Sequence, residues 1–286
     1  GEVLDEVTAH IPDEELIAAS TEDVAIPKFA IIGQPNAGKS TLLNALVGQE
    51  RTIVSDIPGT TRDTIHTHYN LFGREFVLID TAGIRKKKNV HEDLEFYSVI
   101  RAIRAMDEAE VCLIIIDAEK GDTAQDLSIF SLAAHKGKGI RLLVNKWDTV
   151  EKETNTARDY EQQIKQKIAP FTDIPVVFTS VTEKQRVLRV IETAEKEYEN
   201  RKKKIPTSKL NEVMLPIIES YPPPATKGKY VKIKYITQIN GVAPMFAFFC
   251  NLPQYIKEPY QRFLENKLRE NFDFNGVPVQ IFFRQK

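Results

Sequence analysis

Residues 33–40 read Gly-Gln-Pro-Asn-Ala-Gly-Lys-Ser, which fits the spacing G-x-x-x-x-G-K-[ST]. That pattern gathers phosphate oxygens: glycines leave the backbone N–H groups uncovered, and a lysine adds a point charge. The predicted cradle runs from Gly33 through Gln34, Pro35, Asn36, Ala37 and Gly38 to Lys39, Ser40 and Thr41. Lys39 is expected at the β- and γ-phosphates and the Ser40 hydroxyl on Mg²⁺, with a helix N-terminus aimed at the anion.

Four further clusters supply what such a cradle lacks. Asp80-Thr81-Ala82-Gly83 follows the apolar run 75–79. Asp80 can hold Mg²⁺ through water, and the Gly83 N–H can contact the γ-phosphate and sense its presence. Asn145-Lys146-Trp147-Asp148 follows the run 140–144 and selects the base. A carboxylate at Asp148 accepts both N1–H and the 2-amino group of guanine, whereas adenine would leave it unpaired. Asn145 is expected at the other edge of the base, the Lys146 stem along the ring, and Trp147 in the core. Thr179-Ser180-Val181 would bring backbone N–H groups to guanine O6. Pro58-Gly59-Thr60-Thr61-Arg62-Asp63 falls where a switch loop belongs, so Thr61, with Thr60 beside it, is expected to complete the Mg²⁺ shell; a plain surface loop is the other reading.

Alternating elements must position these clusters. Strands are expected near 28–33, 64–72, 75–80, 111–117, 140–145 and 175–179, and helices near 38–48, 92–107, 123–136, 156–169 and 184–200. Such alternation predicts an α/β fold, a mostly parallel sheet with helices on both faces. Leu71-Phe72-Gly73-Arg74 predicts a hairpin, hence an antiparallel edge pair. Arg201-Lys-Lys-Lys204 and Pro206 mark a boundary. Beyond it a helix near 207–220, strands 230–239 and 245–250, a helix near 258–271 and a strand 277–283 predict a small α-β-β-α-β module. The expected domains are therefore 28–204 and 205–286, preceded by an acidic linker over 1–27. Residues 2–7 share the apolar spacing of residues 186–191, which would make the start of the chain the tail of an earlier copy of the same domain; chance is the alternative.

Composition narrows the class. Hydrophobic content is 42% and charged content 28%, and no apolar run nears the ~20 residues of a membrane helix, so a cytoplasmic protein is expected. Cys112 and Cys250 lie in apolar runs and read as buried thiols, and the histidines show no ligand spacing. Net charge is −1 but unevenly spread: residues 201–286 hold 15 Lys+Arg against 6 Asp+Glu. A basic tail on an acidic body predicts a polyanionic partner for the tail.

The wording GQPNAGKST, PGTTRD, DTAGIRKK and NKWD resembles the bacterial Der (EngA) GTPases, kin of the Era and MnmE types, and the resemblance covers the chain from Lys28 onward. It implies a P-loop GTPase domain followed by a KH-like domain, with GTP and GDP as ligands, a second GTPase domain upstream, and a role on the ribosomal large subunit and its rRNA. Membrane and DNA are not implied. Val181 departs from the family's usual alanine. Ile84 stands where signalling GTPases carry a water-orienting glutamine, so unaided hydrolysis is expected to be slow. The resemblance further implies a K⁺ ion held by Asn36, with loop residues near 53–59 closing over it; Asn36 as a mere turn residue is the alternative. Lys39, Asn36, Thr61 and Gly83 are thus the expected catalytic set. Residues 201–286 contain no G-x-x-G loop, so the usual KH grip on nucleic acid does not carry over. Lys227, Lys229, Lys232 and Lys234 cluster there with Tyr230, Tyr235 and Phe246; strand alternation assigns most of those rings to core. RNA docking through that module competes with a protein-relay role and with a plain solvated edge.

Overall fold

The structure is a computed structural model that describes residues 26–47, 52–58, 65–71, 73–79, 94–151, 153–183, 186–226 and 228–285. Along the first part of the chain run β1 (Lys28–Gly33), α1 (Lys39–Val47), β2 (Thr52–Pro58), β3 (Ile65–Leu71), β4 (Arg74–Ile79), α2 (Leu94–Glu108) and β5 (Val111–Asp117). α3 (Ala124–His135), β6 (Gly139–Asn145), α4 (Thr156–Lys167), β7 (Val176–Phe178) and α5 (Val187–Lys202) follow. Their strands form one sheet in the order β2-β3-β4-β1-β5-β6-β7, parallel from β4 to β7 and antiparallel at β2-β3-β4.

Strands β5 and β6 are buried at every position, as continuous apolar runs covered on both faces require. Alternation splits them between two cores. Leu113, Ile115 and Leu143 pack with Leu42, Leu43 and Leu46 of α1 and with Val190 and Ile191 of α5. Cys112, Ile114 and Leu142 pack on the other face with Met106, Phe130 and Ile164 of α2, α3 and α4. Each fully buried aliphatic side chain contributes roughly 1.5–3 kcal/mol, so the strands are fixed from both sides.

The expected loop near 53–59 is instead the edge strand β2 up to Pro58, paired with β3 from Thr52↔Leu71 to Pro58↔Ile65. Its Thr-Ile-Val-Ser-Asp-Ile sequence is β-branched and favours a pleated edge. The acidic stretch 1–25 and the apolar echo at 2–7 lie outside the described residues.

The second unit contains α6 (Thr207–Ser220), β8 (Ile233–Ile239), β9 (Met245–Cys250), α7 (Glu258–Phe272) and β10 (Gln280–Gln285). This is the expected α-β-β-α-β order, with a sheet β10-β9-β8 that is parallel at β9-β10 and antiparallel at β8-β9. Leu210, Met214, Leu264 and Leu268 of the helices pack on Ile236, Phe246 and Phe248 of one sheet face. The last strand begins at Gln280, later than expected. Pro278, two residues earlier, cannot donate to a ladder.

A polar seam joins the two units at the amino end of β6. Ile140 N–H donates to Gly276 O at 2.7 Å, and Gly276 N–H to Asp173 O at 2.8 Å. Asn200 Nδ2 donates to Asn275 O at 3.1 Å, and Lys203 Nζ reaches the carbonyls of Phe272 and Asp273 at 2.9 Å each. Beneath it Arg141 and Glu197, 5% and 1% exposed, form a buried ion pair, Nε to Oε2 at 3.2 Å. Gly276 sits directly over that pair: its φ is +75°, and a Cβ there would run into the Glu197 side chain.

Candidate nucleotide-binding site

Because β1, β5, β6 and β7 are parallel, the loops that leave their carboxyl ends meet at one edge of the sheet, where α/β proteins bind ligands. Three of the sequence clusters therefore converge there: the 33–41 loop after β1, 145–148 after β6 and 179–181 after β7.

Asn145 ties them together. It is 4% exposed, and its Nδ2 donates to Ala37 O at 2.9 Å. Its Oδ1 accepts from the Val181 N–H at 3.2 Å and from the Thr179 hydroxyl at 3.4 Å. The Asn145 side chain, expected at the edge of a base, is thus a strut between the phosphate-type loop and the last loop. The Val181 N–H, expected at a base oxygen, is spent on that strut. Gly38 explains the first glycine-only position: its φ is +106°, and a Cβ would collide with Asn145 Nδ2. At Gly33 a Cβ would strike the carbonyl of Ile115 in β5. Both glycines are needed by close approach, as the motif demands.

Inside this cradle Lys39 Nζ donates to Gly33 O at 2.7 Å and Gln34 O at 2.6 Å, so its ammonium spans the loop. Ser40 is half-buried in the first turn of α1, Thr41 is exposed beside it, and Pro35 is half-buried on the loop. Asn36 is exposed at the loop tip with a left-handed backbone, φ +66°. Ser180 Oγ is buried with no hydrogen-bond partner among the described residues. A glycine cradle and an orphaned hydroxyl at one edge fit a polar ligand.

Lys146 also has a left-handed backbone, φ +59°, which swings its side chain across to Asp117 Oδ2 at 2.7 Å and Glu119 Oε2 at 3.4 Å. The bond to Asp117 raises its pKa. Its stem can lie under a planar ring while the head stays anchored. Asp148 follows on a turn and is exposed. Trp147 packs into the core on Phe178, ring centres 4.4 Å apart, as expected.

Sequence reasoning missed two supports. Asp117, which anchors Lys146, ends an apolar strand just as Asp80 does, and that parallel was the available signal. Gln34 Nε2 donates to Asp126 Oδ2 at 3.0 Å and also contacts Thr123 Oγ1. Thr123 and Asp126 form the capping box of α3, readable as T-x-x-D before an apolar run. Burial raises the Asp126 pKa against the pull of those hydrogen bonds. Thr60, Thr61, Asp80, Gly83 and Ile84 lie outside the described residues.

Comparison with known proteins agrees in kind. A family model described as a 50S ribosome-binding GTPase matches residues 28–146. Another, described as the KH-domain-like C-terminal part of EngA bacterial GTPase enzymes, matches residues 204–284. GTPase Der of Christiangramia forsetii is 57% identical over 286 residues, all of this chain and 65% of the relative. GTPase Der of Flavobacterium johnsoniae is 55% identical over the same span. The chain is similar along its whole length to the Der (EngA) GTPases. It spans 65% of the length of these two relatives. Among solved structures, Aquifex aeolicus Era bound to GDP and AlF4⁻ is similar at 22% identity and a TM-score of 0.46, covering 91% of this chain and 93% of that one. No helix among the described residues is long and apolar enough to cross a membrane.

Proposed function

We propose that this chain binds and hydrolyses GTP and works as a nucleotide-driven switch in ribosome assembly, in the maturation of the large subunit. The supporting observation is the Asn145 strut, which fastens a phosphate-type loop to a base-type loop at one edge of a parallel sheet. In this reading Gly33–Thr41 wrap the phosphates and Lys39 leaves its two carbonyls for the β- and γ-phosphates. Asp148 accepts from guanine N1–H and the 2-amino group, the Lys146 stem supports the ring, and Thr179, Ser180 and Val181 close the base side.

Mg²⁺ would be held by Ser40 with Asp80 and Thr61, and when bound it neutralises charge on the phosphates. Ser40 in the first turn of α1, beside the Gly38 cradle, fits that set. K⁺ would be held by Asn36, whose exposed position at the loop tip fits a ligand facing the phosphates. With Ile84 unable to orient water, hydrolysis without that cation is slow; Gly83 senses the γ-phosphate and Thr60 and Thr61 report it. In this reading the protein works in the cytoplasm, with domains at 28–204 and 205–286 after a linker ending at 27.

The seam at Gly276, Ile140 and Asp173 favours a further element, direct packing between the GTPase part and the KH-like part. It is also what a module relaying nucleotide state to protein partners would need. Calorimetry with Mg²⁺-GTP and Mg²⁺-ATP tests the core reading: GTP is bound and ATP is not. Sedimentation of the protein with ribosomal subunits in GTP, GDP and a non-hydrolysable analogue tests the ribosomal role. Equal affinity for ATP sinks the first, and absence from every subunit fraction sinks the second.

A further inference from the structure

We propose that the open face of the β10-β9-β8 sheet is a stacking platform for the unpaired bases of single-stranded RNA; this rests on the ribosomal reading above and assigns it a surface. Helices α6 and α7 cover one face of the sheet, over Phe246 and Phe248. The opposite face carries Tyr235 and Phe249, whose rings stack 4.4 Å apart at 9°, with Phe282 on the neighbouring strand β10 and Met245 at the other end of β9, all partly exposed. A β-bulge between Ile233 and Tyr235 puts Tyr235 on this side rather than in the core.

Charge singles out the same face. Residues 220–257 contain five lysines and no Asp or Glu, and residues 274–286 contain Arg284 and Lys286 and again no acid. Every carboxylate of residues 205–286 lies on or just after a helix: Glu212 and Glu219 on α6, and Glu258, Glu265, Glu270 and Asp273 on or at the end of α7. The module is therefore split into a mixed-charge helical side and a cationic sheet side. Lys232, Lys234 and Arg284 are exposed at the sheet, and Tyr230, 77% exposed, stands three residues before β8 begins. Flat rings bordered by cations and free of carboxylates suit a chain of planar bases on a phosphate backbone, since every base offers a π-face and every linkage a negative charge. The seam with the GTPase part uses the loop at Gly276 and the turn at Ala243, which leaves the ring surface clear.

The test uses the whole chain and a short, unstructured, dye-labelled RNA, with its duplex as the control. Two double variants separate the terms: Tyr235→Leu with Phe249→Leu keeps the apolar pair but removes the flat faces, and Lys232→Gln with Lys234→Gln removes charge. Wild type should bind the single strand in preference to the duplex. The leucine variant should lose roughly fivefold to a hundredfold per stacked base with its salt dependence intact. The glutamine variant should lose affinity and flatten the log–log salt slope by about 1.4. Ultraviolet cross-links should map to 230–235, 249 or 282–284, and melting temperature and GTP affinity should not change. If the leucine variant binds as wild type does, or the cross-links fall on α6 and α7, the platform is overturned while RNA binding stands. If wild type binds no RNA but the leucine variant drops from ribosomal subunits, the face serves a protein and the proposal fails. If neither RNA nor subunits bind, both this site and the ribosomal reading fall.

Discussion

Replacing Asn145 with alanine separates two accounts of the same residue. If its amide touches the base, as the sequence pattern implies, Asn145→Ala lowers nucleotide affinity and leaves the ligand-free protein as stable as before. If it is a strut, the loss falls on the ligand-free protein. The structure favours the second: Nδ2 holds Ala37 O at 2.9 Å, Oδ1 holds the Val181 N–H at 3.2 Å, and the side chain is 4% exposed. Truncation orphans one carbonyl and one N–H, each costing about 1–3 kcal/mol where water cannot reach. Both groups lie near a sheet edge that solvent can partly enter, so the expected loss is about 2–4 kcal/mol. For a domain of this size that is a fall of roughly 4–16 °C in melting temperature. Differential scanning calorimetry of nucleotide-free protein, paired with GTP titration, reads both quantities. Unchanged melting with a large loss of GTP affinity would refute the strut.

The remaining expectations use independent residues. Asp148→Asn exchanges a carboxylate for an amide and forfeits two charge-assisted bonds to guanine at roughly 1.5–3 kcal/mol each, so GTP affinity should fall about a hundredfold or more. Because Asp148 is exposed, the ligand-free melting temperature should hold, and unaltered GTP binding would remove it from the site. Asn36→Ala should abolish stimulation of hydrolysis by KCl over NaCl while GTP affinity stays within a few-fold; stimulation that persists excludes Asn36 as a ligand. Burial pushes the Glu197 carboxyl from its ordinary 4.5 up to about 7, against the pull of Arg141. The folded state then keeps a proton that the unfolded chain releases. This stability is complete below about pH 4.5 and is lost as pH rises through 7, to a ceiling of about 3 kcal/mol. Urea unfolding across pH 5–8 should show that decline in the wild type and a shallower one in Glu197→Gln; parallel curves would contradict it.

Much of this was legible because period and spacing are local. Apolar runs such as Leu113–Ile116 mark buried strands, and the phosphate loop announces itself in eight residues. What was not legible depends largely on partners distant in sequence. Nothing near Asn145 signals that Ala37 and Val181 will occupy its amide, since those contacts span 108 and 36 residues. Alternation alone does not place Tyr235: counted strictly from Ile233 it falls inward, and one extra residue in the ladder turns it outward. β2 was hidden because the family resemblance assigns residues near 53–59 to a loop over a cation, although the run itself is β-branched. Alternation also names two faces without saying which one is covered: Phe246 lies under the helices, whereas Phe249 lies on the open side.

The parallel sheet imposes a division of labour that the two ends of β6 make concrete. Its last residue, Asn145, organises the loops at the carboxyl edge, while Ile140, near its start, is bonded to the tail at Gly276. Five residues at about 3.3 Å each separate these points, roughly 16 Å along a strand buried throughout. A strand so confined has one arrangement and cannot by itself report a change from one end to the other, because coupling needs an element with two states. α5 has the same double attachment: it begins after the 179–181 loop, and Asn200 near its end bonds Asn275. Between these anchors Glu197 meets Arg141 of β6, locking helix to strand in the interior. The described core is therefore a rigid frame holding a nucleotide-type edge and a tail seam at fixed separation.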